Sequence, residues 1–330
     1  MRSTRLTFAL DTGALTLPSS GQIAVYGPRI GDDLSLLPDG RVTVVTGFRP
    51  AHDHFAARGF AVTKGAGGPY AAAVVCLPRA KAEARALIAQ AMTEVVPGGP
   101  IAVDGQKTDG ADAILRDCRD LGLVTGEVLS KAHGKLAVLS AGTPPQGWNA
   151  VPQIIEGGFQ TLPGVFSAGA ADRGSALLAQ ALPATMPARV VDLGAGWGYL
   201  ARAILSRPGV QILDLVEAEA KALACARHNI PDLRARFHWA DATTFKPDRP
   251  AQAVVMNPPF HTGREADPAL GAAFLNAAAR MLTPDGSLWF VANRHLPYAA
   301  VLTTLFRTAT EIGGDSAFRL THASHPHRLR

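Results

Sequence analysis

Residues 253–263 read Ala-Val-Val-Met-Asn-Pro-Pro-Phe-His-Thr-Gly. A strand-forming run meets two prolines, which cannot continue a sheet. The residue before a proline is held extended, so Asn257 is expected to point out of the strand end. The corner offers one amide, two carbonyls without competing N–H donors at Pro258 and Pro259, and the Phe260 ring. Such a corner is rich in acceptors and suits a substrate that donates hydrogen bonds.

Three further stretches end apolar runs with polar chemistry. In Val-Val-Asp-Leu-Gly-Ala-Gly-Trp-Gly-Tyr-Leu, Asp192 precedes Gly194, Ala195, Gly196 and Gly198. Glycines there permit a tight strand-to-helix turn and close ligand approach, and a following helix adds free N–H groups. A dinucleotide fingerprint would want glycine where Tyr199 stands, so a nicotinamide site fits poorly. Glu217 ends the next apolar run, with Glu219 a close competitor, and could accept both hydroxyls of a ribose. Taken alone it is as readily a solvated residue. Asp241 beside Ala242 suits an adenine amino group, although an Asp before Ala-Thr-Thr is also a simple helix cap. Four successive strand ends carrying fitting side chains are hard to explain as caps, because ligands of open α/β sheets bind there.

These residues need a scaffold, and the patterning supplies one. Strands are expected at 190–193, 210–216, 236–239, 253–256 and 287–292, and helices at 200–206, 219–228 and 269–282. Such alternation means parallel crossovers in a doubly wound sheet. The stretch 309–323 reads instead as strand, Gly-Gly turn and strand, a closing hairpin. Gly and Pro crowd residues 140–150, which divides the chain into domains at 1–147 and 148–330. A weak repeat links them: residues 72–107 run parallel to 252–295, with Leu77 where Asn257 stands. Residues 40–50 are aligned with 188–198, without the glycines. The first half is thus read as a copy that lost its polar corner.

The strand-end series and the terminal hairpin resemble class I S-adenosylmethionine-dependent methyltransferases. The Asn-Pro-Pro-aromatic corner is similar to that of amino-group methyltransferases. Thr-Leu-Pro-Gly-Val-Phe-Ser (161–167), Asn-Pro-Pro-Phe-His (257–261) and Val-Ala-Asn-Arg-His-Leu (291–296) narrow this to the bacterial ribosomal RNA guanine-N2 methyltransferases of the RsmC type. The resemblance implies two tandem doubly wound, Rossmann-like α/β methyltransferase domains. Each would have a seven-stranded sheet with a terminal antiparallel hairpin, the first degenerate and without a cofactor site. It implies S-adenosylmethionine as cofactor, held by Asp192, Gly194, Ala195, Gly196, Glu217, Asp241, Ala242 and Asn257, with Asp172 and Ser175 as further candidates. Asn257, Pro258, Pro259 and Phe260 would be catalytic, and Phe260, His261 and Arg294 would meet substrate. For His261 and Arg294, surface or structural polar roles fit equally well. The expected partner is ribosomal RNA or a ribosomal subunit, most directly the small one. Other amine substrates stay open: large-subunit guanine, adenine N6 in tRNA or DNA, or a protein glutamine. A non-catalytic RNA-binding protein is the alternative of another class.

Bulk properties agree. With 47% hydrophobic and 18% charged residues among 330, the chain is globular. The net charge of +5, mostly contributed after residue 160, is compatible with a nucleic-acid partner. Cys76, Cys118 and Cys225 form no CxxC pair, which argues against disulfides and zinc, and for a reducing compartment. No stretch suits a signal peptide or a membrane span, so a cytoplasmic monomer without metal is expected. Arg79, Lys81 and Lys107 could make the first domain an RNA platform, or that domain could be purely structural. The histidine-rich tail 321–330 is read as a frayed terminus.

Overall fold

The protein, described here as a computed structural model, is defined for residues 2–259, 261–262, 265–266 and 268–327, with only the backbone at 261–262 and 265–266. It divides into two compact units, Met1–Pro152 and Gln153–Arg330.

The first unit runs α1 (Arg2–Asp11), β1 (Ile23–Tyr26), β2 (Val42–Val45), α2 (Arg49–Ala57), β3 (Ala61–Thr63), β4 (Ala72–Cys76), α3 (Lys81–Glu94), β5 (Pro100–Gln106), α4 (Ala111–Asp120), β6 (Leu129–Lys131) and β7 (Gly134–Ser140). Its seven strands lie in the order β3-β2-β1-β4-β5-β7-β6. Only β7 runs against the other strands, antiparallel to both β5 and β6. Strand β4 is buried at all five positions, as a parallel strand covered on both faces must be.

The second unit opens with a small hairpin, β8 (Gln153–Ile155) and β9 (Phe159–Thr161), then α5 (Arg173–Ala181). There follow β10 (Arg189–Leu193), α6 (Tyr199–Leu205), β11 (Ile212–Glu217), α7 (Ala220–Asn229), β12 (Ala235–Trp239) and β13 (Ala251–Met256). The two-residue strands β14 (His261–Thr262) and β15 (Glu265–Ala266) pair beyond the proline corner. Last come α8 (Pro268–Met281), β16 (Leu282–Asn293), α9 (Ala299–Leu305), β17 (Phe306–Gly314) and β18 (Phe318–Pro326). The sheet order is β12-β11-β10-β13-β16-β18-β17, the order of the first unit repeated strand for strand. Apolar layers cover both faces of the sheet: Val254, Met256 and α8 on one, Val255, Leu213 and α6 on the other.

The expected α/β architecture of two seven-stranded, doubly wound sheets with terminal hairpins is therefore present. Three details differ. Strand β1, not the 40–50 stretch, occupies the place of β10, and residues 42–45 form β2, the counterpart of β11. The expected alignment was misled because both stretches are short Val-rich runs. Thr321–Pro326 are not frayed. They belong to β18, which pairs with β16 on one side and β17 on the other, with Thr321 and Ala323 buried. The polar residues His322, Ser324 and His325 hid a strand that turns Leu320, Thr321 and Ala323 into the interior. The hairpin turn also lies beyond Gly313-Gly314, which still pair with β18 across a bulge.

Candidate active site

Strands β12, β11, β10 and β13 are neighbours in the sheet, so their carboxyl ends bring Asp241, Glu217, Asp192 and Asn257 to one edge. The turn after β10 has left-handed glycines, with φ of +81° at Gly194, +55° at Gly196 and +95° at Gly198. Gly194 and Ala195 both donate N–H groups to the Val216 carbonyl (2.9 and 3.0 Å), folding the turn over the end of β11. Tyr199, where a third glycine was sought, begins α6 and packs against Phe159 and Trp197.

Glu217 ties this turn to the next. Its carboxylate accepts the Gly196 N–H (2.8 Å) and the Glu219 N–H (2.7 Å). Burial pushes the Glu217 carboxyl up. Asp192 is fully buried, and neither carboxylate oxygen has a hydrogen-bond partner among the described residues. Burial first, and the neighbouring Glu217 carboxylate second, push its pKa up to about 8. A buried acid without a partner is costly, and such groups mark places where a donor or cation from outside would be received. Asp241 Oδ1 accepts from the Thr243 N–H (2.8 Å) and Oγ1 (2.7 Å), so this acid does also act as a local cap. Ala242 and Ala195 are buried in the two core layers.

At the proline corner, Pro258 is buried and Pro259 exposed. Asn257 Nδ2 donates to Asp172 Oδ2 and to Ser175 Oγ, both at 2.8 Å. Asp172 caps α5 by accepting the Ser175 N–H (2.8 Å). Phe260 lies outside the described residues, and of His261 only the strand backbone is defined. Arg294 is committed to the closing hairpin. Its Nε donates to the Asp315 carbonyl (2.9 Å) and a terminal nitrogen pairs with Glu311 (2.9 Å).

Some contributors had no motif to announce them. Trp197 Nε1 donates to the Phe166 carbonyl (2.8 Å), pinning the segment before α5 to the glycine turn. Buried Asn229 donates to the carbonyls of Trp197 (2.8 Å) and Gln160 (2.9 Å). The aromatic pair in Gly-Trp-Gly-Tyr was the available signal, and its partner Phe159 lies 38 residues earlier in sequence. Among the described residues there is no group of three or more His, Cys, Asp or Glu arranged to hold a metal, and no helix long and apolar enough to cross a membrane. All three cysteines are free and buried.

Strand order, glycine turn and strand-end acids together define a class I methyltransferase. The profile of the methyltransferase small domain matches residues 156–322. A protein of Psychromonas ingrahamii named ribosomal RNA small subunit methyltransferase C is 32% identical over 243 residues, 71% of this chain and 70% of its own length. Its namesake from Aeromonas hydrophila is 31% identical over 261 residues, covering 76% and 75%. Among solved structures, the T. thermophilus 16S rRNA N2 G1207 methyltransferase (RsmC), in complex with AdoMet and guanosine, aligns with a TM-score of 0.78 at 26% identity, over 94% of this chain and 89% of that one. The chain belongs to this methyltransferase family.

Proposed function

We propose that the protein transfers a methyl group from S-adenosylmethionine to the exocyclic N2 amine of a guanine in small-subunit ribosomal RNA. The observation that carries the reading is the Asn257-Pro258 corner, standing beside the glycine turn and a buried Asp192 that has no hydrogen-bond partner among the described residues. The names of the relatives and the guanosine in the T. thermophilus complex support the same substrate. When bound, the cofactor supplies the electrophilic methyl group. Asp192 and the glycine turn fit its methionine end, Glu217 its ribose, and Asp241 its adenine.

The guanine amine is a poor nucleophile because its lone pair is delocalised into the ring. The Asn257 side-chain oxygen and the Pro258 carbonyl would accept its two N–H bonds and favour tetrahedral nitrogen. The lone pair then points out of the ring plane, so the catalysis is chiefly positioning. Phe260 would stack on the base, which must first be splayed from its RNA context. No strong base is required, since the nitrogen becomes cationic on methylation and then releases a proton readily. Ribosomal RNA as substrate implies work in the cytoplasm. The first unit is assigned a structural role, which is supported by Lys81 and Arg85 both being paired with Asp117 (3.0 and 2.7 Å).

The test is transfer from labelled S-adenosylmethionine to small subunits, large subunits and naked RNA, followed by digestion to nucleosides. Label in N2-methylguanosine from small-subunit RNA is expected. Asn257→Ala should reduce it by roughly 10²–10³-fold, the scale of losing one oriented polar group at a reacting centre. Label in N6-methyladenosine, or in protein alone, would overturn the guanine assignment.

A further inference from the structure

We propose that Asp172 and Ser175 are positioning residues that fix which end of the Asn257 amide meets the substrate amine. The inference rests on the amine-acceptor reading of the proline corner given above, and it adds residues from a different part of the chain.

A primary amide has one acceptor oxygen and two N–H donors, and either end fits the same space. For an amine substrate the two ends have opposite consequences. The oxygen accepts an amine N–H, whereas the nitrogen would set donor against donor. The corner's sequence alone does not choose between them. The structure does, because a carboxylate can only accept. Asp172 Oδ2 lies 2.8 Å from Asn257 Nδ2, and the reverse orientation would point the amide oxygen at that carboxylate. Ser175 Oγ takes the second N–H at 2.8 Å. With both donors used, Oδ1 is the end left to accept from a substrate.

The acceptor pair is itself held in place. Asp172 Oδ2 also receives the Ser175 N–H as the N-cap of α5, and Ser175 is buried. Gly174 sits between them with no room to spare. A Cβ there would lie 3.1 Å from Asp172 Oδ2 and 3.1 Å from the Phe318 ring. Next to it, Arg173 pairs with Asp315 at the turn of the closing hairpin (2.7 Å), the same turn whose carbonyl receives Arg294 Nε. The first turn of α5 is therefore anchored at the hairpin and delivers two acceptors to the end of β13. This gives the Asp-Arg-Gly-Ser stretch at 172–175 a task beyond helix capping.

Three variants of the full chain separate the roles. Asp172→Ala removes the acceptor and the cap. Asp172→Asn keeps an acceptor oxygen at the Oδ2 position but removes the charge. Ser175→Ala removes one acceptor and leaves the cap. Each is assayed for turnover, KM for RNA, S-adenosylmethionine affinity by calorimetry and melting temperature. Expected are a fall in kcat of roughly 10²-fold for Asp172→Ala, about 3- to 10-fold for Ser175→Ala, and retention within about threefold for Asp172→Asn. Cofactor affinity and KM should stay within about twofold throughout. Wild-type kcat in Asp172→Ala with only a lowered melting temperature would reduce Asp172 to a cap and overturn the proposal. Equal loss of cofactor affinity in Asp172→Ala and Asp172→Asn would make it a charged cofactor ligand instead, and would also overturn it.

The wild-type product separates this from the substrate assignment. Label on a different amine with the same ranking of variants overturns the guanine reading and upholds the positioning one. Selective ¹⁵N labelling of asparagine gives a readout free of turnover. The Asn257 side-chain amide protons, assigned with Asn257→Asp, should be protected from exchange in wild type and Asp172→Asn and lose protection in Asp172→Ala. Unprotected amide protons in the wild type would overturn the proposal whatever the activity.

Discussion

The two sheets of this protein share one strand order and differ at the strand ends. The matching Ala-Val-Val runs at 73–75 and 253–255 anchor the comparison. Val75 pairs with Tyr26 and Val255 with Asp192, so Tyr26 stands where the second unit has its buried acid. Carrying the register across to the next strand puts Gly47 at the position of Glu217, and the corner residue Asn257 is matched by Leu77. At these three positions the first unit carries an aromatic, a glycine and an aliphatic residue in place of two acids and an amide. Tyr26 donates to Glu94 (2.8 Å), and Leu77 is buried.

Both units also keep a fully buried aspartate, in opposite states. Asp104 on β5 is saturated by arginine: Arg5 donates to it twice (2.6 and 2.8 Å) and Arg2 once (2.8 Å). Arg2 pairs further with Asp32, and Arg29, just beyond β1, with Asp109 (2.8 Å). Asp192 has no partner among the described residues. The two acids lie on non-equivalent strands, β5 and β10, and the difference teaches that internal pairing decides whether a buried acid is closed off by the protein or left open to a ligand.

The largest effect should come from emptying the filled site. Asp104→Ala leaves buried Arg5 without a carboxylate and Arg2 with Asp32 alone, and should cost about 3–5 kcal/mol, read by urea or thermal unfolding. A loss below about 1 kcal/mol would mean the arginines are solvated after all. Next, one molecule of S-adenosylmethionine should bind per chain by calorimetry. Glu217→Ala should weaken it by roughly 10- to 100-fold, as loss of a charged hydrogen-bonding group does. Gly47→Glu should create no second site, since the Arg2, Arg5 and Arg29 pairs remain, and a stoichiometry of two would break the comparison.

The open aspartate should show itself in pH dependence. Its folded pKa of about 8 lies well above the ordinary aspartate range, so the neutral acid is favoured by folding. Its contribution is fully present below the unfolded pKa and is lost as pH rises through 8. Cofactor-free wild type should therefore lose stability relative to Asp192→Asn between pH 4 and 9, by several kcal/mol at the alkaline end. Parallel curves for the two proteins would show that Asp192 is ionised and solvated.

Two smaller tests sharpen the contrast. Gly198→Ala forces an L residue to φ +95° with its Cβ 3.0 Å from Ile230 and should cost about 1–2 kcal/mol. Gly27→Ala, at φ +61° with its nearest contact at 3.5 Å, should cost less. Smallest of all, Lys81→Ala removes a half-exposed partner that Asp117 replaces with Arg85. It should change stability by no more than about 0.5 kcal/mol and leave the salt dependence of RNA binding unchanged. A flattened salt slope would return the first unit to the role of an RNA platform.

Much of this was legible in sequence because the informative signals are local. Periodicity marked β10 to β13 and their helices, and Asp192, Glu217, Asp241 and Asn257 were found because each closes an apolar run. Alignment of the first unit failed at β1 because Ile23–Tyr26 is short and carries no polar marker at its end. The tail failed because β18 reads as polar until β16 and β17 flank it. Arg294 was ambiguous in sequence, and only the folded hairpin supplied the carbonyl and carboxylate that occupy it.

The sequence by itself determined the strand-and-helix succession, the breaking of β13 by two prolines, and the residue types at each strand end, since these follow from backbone chemistry and hydrophobic period within a few residues. Tertiary structure alone decided the partners. Asp172 reaches Asn257 across 85 residues and Arg5 reaches Asp104 across 99. Whether a buried acid is satisfied, and which way an amide faces, depends on donors and acceptors brought together by packing, and local sequence holds no record of them.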